Sequence, residues 1–302
     1  MTTEAPPSTA VVQSDPTERP TVALVMKTLT NPFFVEMEKG ARRAESELGI
    51  NLIIKTAAQE TSIDQQIGII EALIQDQVDA IVVAPGDSVE LLPVLKKAQT
   101  AGIVIINIDN RVNPQRSAEL GLADVPFISV DNQQGAYLSA SYISDRIKTP
   151  TEAALIGGIP TAQNAIDRNQ GAKQAFQENP NVKIVAEVSA NWKIDEAYEA
   201  ARQLFEQHPN LGAIFCANDM MALGVLEYLA ETNRTDVLVA GFDALEEAKD
   251  AIRSRRLAVT IDQQAAEQGY LGVHYAVRAM AGQVLPLETM VDVQVVTQDN
   301  LP

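Results

Sequence analysis

The sequence predicts an α/β protein of two similar lobes, each built on a parallel sheet with helices on its faces. Three observations carry this. Strand-like and helix-like segments alternate along nearly the whole chain. The alternation begins again about half-way, so the two halves look like two copies of one design. At 302 residues the chain is too long for one comfortable hydrophobic core and about right for two.

The elements follow in order. Residues 21–26, 51–56, 80–84 and 103–107 read as strands, and the short β-branched runs at 80–84 and 103–106 as strands buried on both faces. Between them, apolar positions recurring at three and four mark helices over 32–48, 62–75 and 91–100, and Gly49 ends the first as a C-cap. A short strand over 127–130 sits near the passage between lobes. The second half gives helices over 132–148, 164–179, 195–207, 220–232, 245–254 and 264–281. Its strands fall over 153–159, 182–188, 213–216, 237–240, 258–260 and 291–297. Strand, helix and strand at this spacing imply right-handed crossovers.

Composition excludes several functions. The net charge of −17 with no basic stripe argues against a nucleic-acid partner. Cys216 is the only cysteine and lies in an apolar run, so it reads as a buried, inert thiol, with no intrachain disulfide. His208 and His274 lie far apart in unlike contexts, which leaves no metal site and no Ser-His-Asp triad. Gly157-Gly158 follows a strand without the spacing of a phosphate-cradling loop, so it reads as a close backbone approach, and no cofactor is expected. Residues 1–20, rich in Pro, Thr, Ser and Glu, read as a flexible tether with no export signal before it. A tether leading straight into a folded domain suits the mature end of an exported or lipid-anchored protein.

Doubly wound sheets bind ligands at the carboxyl ends of their strands. Polar and aromatic residues gather there. Lys27, Asn31, Phe33 and Phe34 follow the first strand, and Asp109 and Asn110 the fourth. Arg168, Trp192 and Asn218 follow strands of the second half, as do Phe242, Asp243 and Gln263. Carboxylates, amides and an arginine offer planar partners for hydroxyls, and aromatic faces suit the C–H faces of a sugar.

At these residues the chain resembles the ribose-type periplasmic sugar-binding proteins, the solute receptors of bacterial ABC importers. The resemblance runs from about residue 21 to the C-terminus as an ordered series. It comprises Thr30-Asn31-Pro32-Phe33-Phe34, Asp109, Asp131-Asn132, Arg168-Asn169-Gln170-Gly171, Asn218-Asp219 with Ala222-Leu223-Gly224, Gly241-Phe242-Asp243 and Thr260-Ile261-Asp262-Gln263. It implies two Rossmann-like lobes joined by a three-strand hinge, a periplasmic binding protein of type I. The crossings would fall near 130–131, 263–264 and 292. One lobe would hold 21–130 plus 264–292, the other 131–263 plus 293–302. Phe34 and Trp192 would sandwich the sugar ring, with Phe33 and Phe242 as further walls. Asn31, Asp109, Arg168, Asn218, Asp243 and Gln263 would bond its hydroxyls.

The chain departs from the ribose pattern at Lys27, Ala84 and Asn110. The string from Lys27 to Phe34 looks most like fructose-type receptors, which favours a fructose-like ketohexose. The expected function is a monomeric, non-enzymatic receptor, periplasmic or extracellular, that closes over a monosaccharide and hands it to a membrane permease. The alternative is a sugar-sensing receptor or effector domain that signals to a kinase or regulator. An enzyme pairing Asp109 and Asp243 as acid and base is disfavoured, because nearby Arg and Lys hold carboxylates ionised.

Overall fold

The computed structural model describes residues 19–301. Apart from Arg19 and Pro20, the tether expected over 1–20 lies outside the described residues. Two six-stranded sheets form the framework. The first runs β11 (Glu288–Val291), β5 (Phe127–Val130), β4 (Val104–Ile108), β3 (Ala80–Val83), β1 (Thr21–Met26), β2 (Asn51–Thr56), and every pairing is parallel. The second runs β12 (Gln294–Thr297), β10 (Val259–Asp262), β9 (Leu238–Ala240), β8 (Leu211–Cys216), β6 (Thr151–Gly157), β7 (Val182–Ser189). There only the β12–β10 pairing is antiparallel. In each sheet the strand order turns back on itself, which opens a crevice at the strands' carboxyl ends.

Alternating residues of β1 explain how the first sheet is covered. Val22, Leu24 and Met26 face α1 (Pro32–Leu48) and α10 (Ala265–Met280). Ala23 and Val25 face α2 (Ile63–Gln75) and α3 (Leu92–Thr100). In the second sheet α5 (Asn132–Ser144) packs against α6 (Gln163–Gln177), and α7 (Ile194–Gln207) against α8 (Asp219–Glu231), with α9 (Glu246–Arg253) beside α8. The α1–α10 and α5–α6 pairs approach so closely that glycine is required. A Cβ on Gly40 would lie 1.7 Å from the Ala266 carbonyl oxygen, and one on Gly171 would lie 2.0 Å from that of Gln133.

The chain passes between the sheets three times: from β5 to α5, from β10 to α10, and from β11 to β12. The last passage corrects the single strand expected over 291–297. Its apolar alternation is continuous, and nothing in it shows that the residues up to Val291 pair with β5 and those from Gln294 with β10. The short helix α4 (Pro114–Glu119), capped by Asn113 Oδ1 accepting from the Arg116 amide, was also not expected, for it has too few turns to show a period. The helix expected over 132–148 ends at Ser144.

Close helix packing makes the first prediction. Gly171→Ala should destabilise the protein towards the upper end of the roughly 1–3 kcal/mol typical of overpacking, because its clash is with backbone. Gly68→Ala, on α2 with open space around it, should stabilise by about 0.5–1 kcal/mol. Urea unfolding of the two variants checks the difference in sign.

Candidate functional site

A small cavity, lined by residues of both lobes, lies between the two sheets at their strands' carboxyl ends. It is closed, for no side chain that lines it is more than 9 % exposed.

The first lobe supplies a cation between carboxylates. Lys27, directly after β1, places Nζ 2.8 Å from Asp109 Oδ2 and 3.9 Å from Glu60 Oε2. Asp109 Oδ2 is in ion-pair contact but has no aligned hydrogen bond. Asn31 caps α1 by accepting the Phe33 amide at 3.1 Å, and its Nδ2 donates to Glu60 Oε1 at 2.9 Å. Phe33 and Phe34 meet edge to face at 5.0 Å.

The second lobe supplies the counterpart. Arg168 on α6 donates from Nε to Asn132 Oδ1 at 2.8 Å and from Nη1 to the Ala217 carbonyl at 2.9 Å. Its Nη1 lies 3.6 Å from Asp243 Oδ1, which accepts from Gln263 Nε2 at 2.7 Å. Asn218 caps α8 by accepting the Met221 amide, and its Nδ2 donates to the Trp192 carbonyl. Lys27 Nζ stands 5.6 Å from the Phe34 ring centre and 5.9 Å from that of Trp192. One aromatic wall therefore comes from each lobe.

Backbone strain gathers here. Asp109, Trp192 and Asp243 all have positive φ, at 63°, 68° and 126°. Such conformations are costly for residues with a Cβ and cluster at functional sites. Gly158 makes the Trp192 pose possible, because a Cβ there would fall 2.1 Å from the indole. This is the close approach expected of Gly157-Gly158.

Burial dominates the site's electrostatics. It raises the pKa of Glu60, against the pull of Lys27 and the Asn31 amide. It raises Asp243 well above the usual carboxylate range, against the pull of Arg168. It lowers Arg168, which Asp243, Asp109 and Glu60 oppose. Two cations and three carboxylates thus share one dry space. Asn164 Oδ1 and Trp192 Nε1, on residues lining the cavity, are buried without hydrogen-bond partners among the described residues. Buried polar groups are rarely left unpaired, so these two atoms suit a ligand bearing hydroxyls.

Ten of the twelve residues expected at the site line the cavity: Lys27, Asn31, Phe33, Phe34, Asp109, Arg168, Trp192, Asn218, Asp243 and Gln263. Asn110 and Phe242 do not. Asn110 is fully buried and turned away, donating from Nδ2 to the Pro85 carbonyl at 3.0 Å. Phe242 lies under the Arg168 guanidinium at 3.8 Å, a platform for the arginine and not a wall of the cavity. Glu60 and Asn164 line the cavity and were missed. Both follow strands, β2 and β6, so the rule that found the others would have reached them.

The sequence profile of the periplasmic binding protein domain matches residues 22–283. The D-ribose/D-allose-binding protein of Pseudomonas aeruginosa is 39% identical over 279 residues, 91% of this chain and 86% of the relative. The D-allose-binding periplasmic protein of Escherichia coli is 32% identical over 284 residues, 91% of each chain. Among solved structures, an ABC transporter periplasmic solute-binding protein from Actinobacillus succinogenes with bound D-allose has a TM-score of 0.88 and 35% identity, covering 93% of this chain and 98% of its own. A solute-binding protein from Agrobacterium vitis bound to α-D-tagatopyranose has a TM-score of 0.88 at 26% identity, covering 93% and 96%.

Arg168→Ala leaves Asp243 buried without its cation, a change that should cost about 3–5 kcal/mol. The sign with pH is fixed by burial: a carboxylate whose folded pKa is raised binds its proton more tightly in the native state. Stability therefore falls as pH rises above the unfolded value through the folded one. Without Arg168 the Asp243 pKa rises further, so the loss of stability above the ordinary carboxylate range should continue to higher pH in the variant than in the parent. Adding Asp243→Asn should flatten the slope; denaturant titrations across this range check it.

Proposed function

We propose, from the premise that this chain belongs to the periplasmic binding protein family and is a sugar-binding receptor of an ABC import system, that its ligand is one neutral pyranose held between Phe34 and Trp192. Its matches are solute-binding proteins, and the chain is not an enzyme. The closed, charge-lined cavity carries the reading. Lys27 with Asp109, and Arg168 with Asp243, are charged partners already ion-paired within the site, able to exchange part of that contact for bonds to hydroxyls. Such charge-assisted bonds are the stronger kind. Asn218 and Gln263 add amides, and Trp192 Nε1 and Asn164 Oδ1 take further hydroxyls.

The sugar is narrowed by two observations. Lys27 and the string that follows it favour a ketohexose such as fructose. The relatives at 39% and 32% identity are instead named for D-ribose and D-allose. Those two aldoses share their configuration at C2, C3 and C4, and D-allopyranose adds one hydroxymethyl group. We place this aldose pair ahead of a ketohexose. The carboxyl groups of Glu60, Asp109 and Asp243 around the cavity disfavour sugar phosphates and uronates by like-charge repulsion.

In this reading 21–130 plus 264–292 and 131–263 plus 293–302 move as two bodies about the three crossings, opening to admit the sugar and closing over it. The receptor works as a monomer in the periplasm and delivers its sugar to a membrane permease. None of the described helices is long and apolar enough to cross a membrane.

Calorimetry against D-allose, D-ribose, D-fructose, D-tagatose and ribose 5-phosphate tests the proposal. One-to-one binding of an aldose at micromolar Kd or tighter, about −8 kcal/mol, is expected, with no heat from the phosphate. Tight fructose binding without aldose binding would restore the ketohexose. Binding to none of them would overturn the sugar assignment.

A further inference from the structure

Helix α6 begins without a cap of its own. Its N-cap is Ala162, in extended backbone at φ −84° and ψ 127°, with no side chain to accept a hydrogen bond. The helices α1, α4, α5 and α8 are each capped by their own Asn or Asp, whereas α2, α3, α7, α9 and α10, like α6, have no side-chain cap of their own; α6 differs in what its amides meet. The first turn of a helix leaves four amide N–H groups without intrahelical partners. In α6 the first two are taken by the opposite lobe. The Gln163 amide donates to Ser88 Oγ at 3.0 Å and the Asn164 amide to Asn110 Oδ1 at 3.2 Å. Ser88 follows β3 and Asn110 follows β4, and their two side chains also meet each other. All four residues are buried or partly buried, and neither Ser88 nor Asn110 lines the cavity.

We propose that Ser88 and Asn110 are a closure latch that caps α6 from across the cleft and so sets sugar affinity without touching the sugar. The inference rests on the reading that the lobes open and close around a ligand. When they part, the two amides lose these acceptors, so the closed form alone has a fully capped α6. Asn164 joins latch and site: its backbone is held by Asn110 while its side chain lines the cavity. This is also why Asn110, expected among the sugar ligands, points away from the cavity.

The test uses the full chain and the fluorescence of Trp192, its only tryptophan, in stopped-flow titrations with D-allose and D-ribose, together with ligand-free melting curves. Ser88→Ala should weaken binding about three- to thirtyfold, the range of a lost helix cap. The change should lie chiefly in a faster koff, with ligand-free melting unchanged. Ala162→Ser gives α6 its own cap in both forms. It should raise ligand-free melting and yet weaken binding, an opposition of signs that a merely structural role would not produce. Unchanged affinity in Ser88→Ala, or a ligand-free melting temperature that Ala162→Ser fails to raise, would overturn the latch. A parent protein that binds neither sugar, beside an Ala162→Ser variant that melts higher, counts against the receptor reading and for the uncapped helix end.

Discussion

Five ionisable side chains enclosed between two lobes are the constraint around which this molecule is arranged. Lys27, Glu60 and Asp109 come from loops of one sheet, Arg168 from a helix and Asp243 from a loop of the other, and all are buried. Charges taken out of water are costly unless paired and hydrogen-bonded, so each is held by its own support. Phe242 lies beneath Arg168, Asn132 and the Ala217 carbonyl bind its donors, and Gln263 holds Asp243. Asp219 stays outside the cavity. It accepts from Thr260 Oγ1 at 2.7 Å and from the Leu245 amide at 3.0 Å, bracketing the positive-φ turn at Asp243 and Ala244.

The two-sheet design follows from the same need. A crevice at the carboxyl ends of a doubly wound sheet is polar by construction, since it is lined by loops and helix N-termini. One such sheet gives half a site, exposed to water. Two facing sheets close the site, and three crossings join them. Gln264, with φ 52°, begins α10 at one crossing, and its side chain donates to the Asp292 carbonyl at another, so the crossings are tied to each other.

Much of this was legible in the sequence because strand ends are easy to find when strands are buried on both faces. The runs at β3, β8 and β1 after Thr21 are apolar throughout, and the first polar residues after such runs belong at the crevice. What stayed hidden depended on contacts remote in the chain. Asn110 neighbours Asp109, yet its partners are Pro85, Ser88 and the Asn164 amide. Phe242 neighbours Asp243, yet its ring lies beneath the Arg168 guanidinium. Glu60, in the loop after β2, and Asn164, in the first turn of α6 after β6, belong to no family string, so only a fuller use of the strand-end rule would have reached them. The split of β11 from β12 is a change of partner strand, which a strand's own periodicity does not record.

The central claim is that the two sheets close as bodies over a small sugar. Small-angle X-ray scattering of the protein with and without saturating D-allose or D-ribose tests it most directly. The account predicts a ligand-free particle of larger radius of gyration that contracts when sugar is added, to the dimensions of the closed structure. Sugar binding with no change in the scattering would contradict it, because the cavity would then fill without the lobes ever having parted.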